Sequence, residues 1–231
     1  MHATQLQTAL GNPGRLYNIG NAITLCGGVG GAVAAALGDG NNLALASQRV
    51  VMHLWGSPSA LALTLATVVF FAGGAAYSAA WKGHGPRPDP RLNKMGDLLS
   101  GIGAAVLGVG LFMLGNAVLA ICAGLLHAFG KFGSAFGGGR YVRLASHAFP
   151  FDDLCKDLVL VSRAPALLAA LSGLVHTLMT GADPGVILLA TSVVISTLYW
   201  ALADILLLRR QGVLMSAVRR VLRLSKISAA E

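Results

Sequence analysis

The stretch MGDLLSGIGAAVLGVGLFMLGNAVLAICAGLLHAFGKFGSAF, Met95 to Phe136, decides how this chain is organised. It is apolar almost throughout, and only Gly115-Asn116 breaks it. A helix needs about 20 apolar residues to cross the hydrocarbon core of a bilayer. The stretch is therefore either two spans joined by a tight turn or one overlong helix.

Charges elsewhere separate the two readings. Apolar stretches also run over Tyr17–Gly38, Pro58–Trp81, Leu158–Thr180 and Pro184–Leu208, and the quoted stretch divides into Met95–Leu114 and Asn116–Phe136. With six spans, the segments 1–16, 82–94, 137–157 and 209–231 share one side. That side then holds Arg15, Lys82, Arg87, Arg91, Lys94, Arg140, Arg143, Lys156, Arg209, Arg210, Arg219, Arg220, Arg223 and Lys226. Lys131, late in the fourth span, is expected to snorkel to the same side. Arg49 is alone on the other. Fusing the third and fourth spans would put loops 82–94 and 137–157 on opposite faces, against the positive-inside pattern. Six spans with both termini cytoplasmic follow.

Composition agrees. Of 231 residues, 55% are hydrophobic and 11% charged, against roughly 25% charged in soluble domains. A disordered chain would need low hydrophobicity and high net charge. The fold class is thus an all-α integral membrane protein, six transmembrane helices arranged as three helical hairpins, with a C-terminal basic amphipathic helix. A cytoplasmic segment 1–16 precedes the membrane domain 17–208, whose hairpins are 17–81, 95–136 and 158–208, and a tail 209–231 follows. Ala32-Val33-Ala34 resembles a signal cleavage site, but the apolar run before it is long for an h-region of about 7–15 residues, so it is expected to stay as the first span. The Ala/Gly-rich composition points to a bacterial inner membrane.

Two spans carry stripes of small residues at spacing four: Gly20, Thr24 and Gly28 in the first, and Gly96, Ser100, Ala104 and Gly108 in the third. Residues four apart share a helix face, and small side chains let membrane helices approach closely. The polar residues Asn21, Asp97 and Asp157 are read as helix-start groups that cap backbone N–H groups. Asn116 borders the fourth span in the same way.

Ionisable groups at membrane depth are functional candidates by default. Arg163 lies early in the fifth span and Asp204 late in the sixth. In an antiparallel hairpin turning at residues 181–184, with 1.5 Å rise per residue, the two fall at about the same depth. An intramembrane charge pair near the cytoplasmic interface is expected, read first as a lock on the last hairpin and second as a proton or cation site at Asp204 gated by Arg163. His127 and His176 are late in helices running in opposite directions, so a bis-histidine haem site is not expected.

Enzyme motifs are missing: the sequence has no HExxH, no GxSxG and no P-loop. Neither catalysis, a metal nor a cofactor is expected. The three cysteines (Cys26, Cys122, Cys155) form no CxxC pair and imply no disulfide framework. Gly137-Gly138-Gly139-Arg140 reads as a flexible linker, and 137–157 as an interfacial loop or short in-plane helix. The Pro- and Gly-rich linker 83–91 is expected to lack regular structure. Arg49, His53 and Trp55 suggest a small interfacial helix within 39–57. In the tail, Arg219, Arg220 and Arg223 form the basic sector of a helix suited to anionic headgroups. The expected partners are the lipid bilayer and its anionic headgroups, then a second copy or another membrane protein; nucleic acid is not expected.

Two functions fit. One is transport or permeation of a small solute or ion, with a polar cavity lined by Asn21, Thr24, Ser100 or Asn116. The other is a non-catalytic subunit or assembly factor that binds partners through glycine-rich helix faces.

Overall fold

The computed structural model describes residues 11–37, 48, 51–52, 56–82, 88–144, 147–182 and 184–228. Arg49, His53, Trp55 and most of linker 83–91 lie outside them. Six long helices follow in order: α1 Pro13–Leu37, α2 Pro58–Ala80, α3 Pro90–Met113, α4 Ala117–Phe136, α5 Phe151–Met179 and α6 Pro184–Arg210. Then comes α7, Leu214–Ser228. Between α4 and α5 sits an antiparallel hairpin of β1 Tyr141–Leu144 and β2 His147–Pro150.

Among the described residues, α2 to α6 are five helices long and apolar enough to cross a membrane. The chain is an all-α, multi-pass membrane protein. Its burial pattern is that of a bundle in lipid. Val68 and Leu168 lie 62% and 67% exposed, whereas Ser196 and Asp204 are 0% and 3% exposed.

Proline and a capping side chain start several helices. Asn12, Ser57 and Asp89 each precede a proline and accept hydrogen bonds from backbone N–H groups of the first turn. Proline is preset for this position, and its missing N–H would be unpaired there anyway. The Asp89-Pro90 start corrects the reading of 83–91 as wholly irregular, since Pro90 and Arg91 are helical. It also moves Asp97 two turns into α3.

The quoted stretch does divide. Leu114 to Asn116 leave the helix, with Gly115 at φ 78°, a left-handed conformation that glycine adopts without a side-chain clash. Asn116 then caps α4 by accepting from the Leu119 N–H at 3.1 Å. Segment 137–157 is neither a loop nor an in-plane helix. It is a turn, the β1–β2 hairpin and the first two turns of α5. Asp152 and Asp153 in that first turn favour the helix dipole.

The six long helices form a ring in chain order, closed by α6 against α1. The two most extensive interfaces, α2–α3 and α1–α6, run between the expected hairpins rather than within them. The ends bearing Lys82, Arg91, Arg140 and Arg209 form a basic end.

The stripes need one correction. Gly27 and Gly31, not Gly28, continue the α1 line from Gly20 and Thr24: a Cβ on Gly31 would come 2.7 Å from the Gly185 carbonyl oxygen, while one on Gly28 would meet nothing within 4 Å. At 3.6 residues per turn, a strict spacing of four advances about 40° each step, so the contact line alternates steps of four and three. In α3 the four-step row stays buried by changing neighbours. Gly96 lies against Tyr77 of α2, and Gly108 lies against Gly124 of α4.

Candidate functional site

Each of the six long helices sends at least one polar side chain to the centre of the ring, toward its basic end. Asp204 of α6 accepts from Arg163 Nε of α5 at 2.7 Å through Oδ2. Its other oxygen, Oδ1, lies 3.5 Å from Lys131 Nζ of α4. Lys131 Nζ also lies 3.7 Å from Asp97 Oδ1 of α3. It donates to the hydroxyl oxygens of Tyr17 of α1, at 3.3 Å, and Tyr77 of α2, at 3.1 Å. The two tyrosine rings stack with centroids 5.5 Å apart, and the ammonium sits 5.3 and 5.0 Å from those centroids. Tyr77 in turn donates to Asp97.

Two carboxylates thus face two cations, and the formal charge of the cluster is zero. That balance is what burial demands, because an unpaired charge in a low-dielectric interior costs several kcal/mol. Lys131 is 3% exposed, so the snorkelling expectation is overturned. Its stem lies inside the ring, and two carboxylates and two hydroxyls replace the water it would otherwise seek.

Beneath this layer Arg163 Nη2 donates to His127 Nε2 at 3.3 Å. A guanidinium can only donate, so Nε2 accepts and the imidazole proton is on Nδ1. Arg163 also lies 5.8 Å from the Trp200 ring, whose Nε1 donates to Asn21 Oδ1 at 3.0 Å. His127 and Lys131, four residues apart, share the inner face of α4. Just before them, Ala120–Leu126 is a π-helical segment. Such a segment adds a residue to the turn and shifts the face that follows, and it recurs at functional sites.

The sequence-derived candidates sort as follows. Arg163 and Asp204 are directly paired. Asp97 joins them in the cluster rather than capping a helix. Asn21 is buried inside α1 against Trp200, also away from a helix start. Thr24 donates to Ser196 Oγ at 2.7 Å and ties α1 to α6. Ser100, Ala104, Gly96 and Gly108 are buried packing positions. Asp157 lies two turns into α5 and takes two hydrogen bonds from Arg220 of α7, at 2.7 and 3.1 Å. Asp153 is 3.3 Å from the same guanidinium. Arg220 is therefore occupied inside the protein, which corrects its assignment to lipid; the Asp157 hydrogen bond raises its pKa above the ordinary guanidinium value. Arg219 is exposed, and the side chain of Arg223 lies outside the described residues. His176 is exposed at the end of α5.

Sequence reasoning missed Lys131, Tyr17, Tyr77 and His127 as members of the site. The signals were the His127–Lys131 spacing of four and a tyrosine following Gly73-Gly74 in an otherwise apolar helix.

Two small cavities adjoin the cluster. One, about 20 Å³, lies on the basic side and is lined by Asn93, Asp97, Lys131, Lys156, Asp204 and Gln211 among others. The other, about 10 Å³, touches Tyr17, Ser100, His127, Arg163 and Trp200. The first has room for one water molecule. Of the four expected cavity-lining residues, Ser100 alone lines either of them. Among the described residues, no group of three or more His, Cys, Asp or Glu gathers to hold a metal ion.

No family model, no curated protein and no solved structure matches this chain. What the fold defines is a class: a multi-pass helical membrane protein.

Proposed function

We propose that this is a six-span bacterial inner-membrane protein, with both termini cytoplasmic, that transports or conducts a small solute or ion. One observation carries the reading: a charge-balanced cluster at the ring centre to which all six helices contribute. A purely structural lock needs only the Arg163–Asp204 pair. Lys131, Asp97 and two tyrosines add desolvation cost beyond it, and buried ionic groups are weak sources of stability. Groups retained at such cost inside a membrane bundle are functional by default. The proposal includes no catalytic step. It assigns the basic face of α7, through Arg219 and Arg223, to anionic lipid headgroups.

The second reading, a structural subunit, draws on the tight glycine packing away from the basic end. Its partner faces are largely used up, however, because Gly20, Gly27, Gly31, Gly108 and Gly124 already touch neighbouring helices.

Single-cysteine labelling from both faces, in a cysteine-free background, separates the two. The transport reading expects labelling at positions around Asn93 and Gln211 to continue inward to Ser100. It also expects vesicles holding the protein to pass small ions faster than protein-free vesicles, with Asp204→Asn abolishing the difference. Labelling confined to helix ends, with no flux, would leave the structural subunit.

A further inference from the structure

The cavity on the basic side has an unusual lining. Among the described residues, Asn93 Oδ1 and Gln211 Oε1 are buried without a hydrogen-bond partner, Asp204 Oδ1 has only the Lys131 ammonium beside it at 3.5 Å, and all three residues line the cavity. Two parts of the chain supply them: Asn93 is early in α3, Asp204 is in the last two turns of α6, and Gln211 is in the turn that follows α6. Other contacts fix two of these side chains. Arg163 holds Asp204 through Oδ2, and Asn93 Nδ2 donates to Asp97 Oδ2 at 3.4 Å. All three oxygens are acceptors, and once Lys131 has given up the proton that faces Asp204, a lone water, with two protons to give, leaves one of them unsatisfied. A small cation satisfies all of them, and carboxylate and amide oxygens are the donors that hard cations prefer.

We propose that this pocket binds one small monovalent cation through Asp204, Asn93 and Gln211, in exchange for the proton carried by Lys131. The inference deepens the transport reading, on which it rests for its biological use, by naming the ion class and the exchange.

Charge dictates the exchange. The cluster is neutral with Asp97 and Asp204 against Lys131 and Arg163, so a further cation would leave one positive charge buried. Arg163 keeps its proton under all ordinary conditions. Lys131 is the cation that can lose one. On cation binding a Lys131 N–H bond breaks, the proton leaves to water, and the electron pair stays on Nζ, facing the incoming ion. The net charge is unchanged. The groups that bias this step face Lys131 from every side: Tyr17 from α1, Tyr77 from α2, Asp97 and Asn93 from α3, His127 on its own helix, Arg163 and Lys156 from α5, and Asp204 from α6. Lys156 is itself held by Asp152 at 3.5 Å and Asp153 at 3.8 Å.

The test is an equilibrium one on the full chain in phospholipid nanodiscs. Choline chloride in a lightly buffered sample is replaced by sodium, potassium or ammonium chloride at constant ionic strength, with empty nanodiscs as the blank. At least one of the three should release about one proton per protein, saturably, and raise the unfolding temperature. Choline, too large for the pocket, should do neither. Gln211→Leu and Asn93→Leu keep every charge and should weaken binding about tenfold or more. Lys131→Arg keeps a charge that cannot be released and should abolish the proton signal. Absence of saturable release with all three salts in the unmodified protein overturns the proposal. So does stabilisation without proton release, or undiminished release from Lys131→Arg. Binding with proton release but no flux in vesicles would retain this site and remove the transport reading; flux without binding would do the reverse.

Discussion

The two halves of the ring differ in what fills the centre between the same helices. Away from the basic end, backbones meet. Gly31 lies against the Gly185 carbonyl, Gly27 against Ser192, Gly108 against Gly124, and Gly110 against Ala62 and Leu63. Toward the basic end glycines still bring neighbouring helices together, Gly14 against the Ser78 backbone and Gly130 against the Cys155 carbonyl, but the centre of the ring is filled by Asp97, Lys131, Arg163 and Asp204. Close packing leaves little polar capacity unused, because nothing there needs it. The charged half leaves acceptors over beside the carboxylates, the amide oxygens of Asn93 and Gln211. The proposed cation site draws on these oxygens.

The comparison can be broken first at its most costly point. Arg163→Met should destabilise the bundle by about 3–5 kcal/mol, because it leaves Asp97 and Asp204 with Lys131 as their one cation and so one buried negative charge uncompensated. Adding Asp204→Leu should recover more than half of that loss, measured by unfolding in mixed detergent micelles. Equal losses in the single and double variants would mean that the charged half is not a coupled unit.

The packed half is tested by size. Gly31→Leu or Gly27→Leu should cost about 1–3 kcal/mol by forcing α1 and α6 apart. Gly28→Leu, one residue from Gly27 but facing open space, should be near neutral. If all three behave alike under the same unfolding assay, the assigned contact line is wrong.

Smaller effects sharpen the edges of the picture. Arg220→Ala removes the fork on Asp157 and should loosen α7 by about 1–2 kcal/mol. Hydrogen exchange in 214–222 should rise while α1–α6 are unaffected; a global loss would put α7 within the bundle's cooperative unit. Thr24→Val should cost only about 0.6 kcal/mol, the average for a hydrogen bond between membrane helices. Thermal unfolding of that variant sets the scale for the others.

Much of this was legible in the sequence, and the misses have identifiable causes. The Gly115-Asn116 break and the Arg163–Asp204 pair follow from charge sidedness and helix rise alone. Asp97 was misplaced because Asp89-Pro90 sits in a run that reads as linker, although it is a cap followed by a first-turn proline. Lys131 was misread because its reach fits snorkelling as well as burial, and only the positions of Asp97, Asp204, Tyr17 and Tyr77 distinguish them. Gly28 falls off the contact line because a fixed spacing of four ignores the drift of a 3.6-residue helix. Arg220 was assigned to lipid because its intramolecular partner lies 63 residues earlier.

The apolar helices, their division at Gly115, the basic end and the presence of charges that must be buried are all legible along the chain. Those follow from hydropathy, local backbone preference and the cost of moving charge across a bilayer, all properties of short segments. Only the packing of distant segments closes the helices into a ring with α6 against α1, turns Lys131 inward between two carboxylates, and brings Asn93, Asp204 and Gln211 to one water-sized cavity. These depend on side chains from distant segments meeting at one depth, which spacing along the chain does not encode.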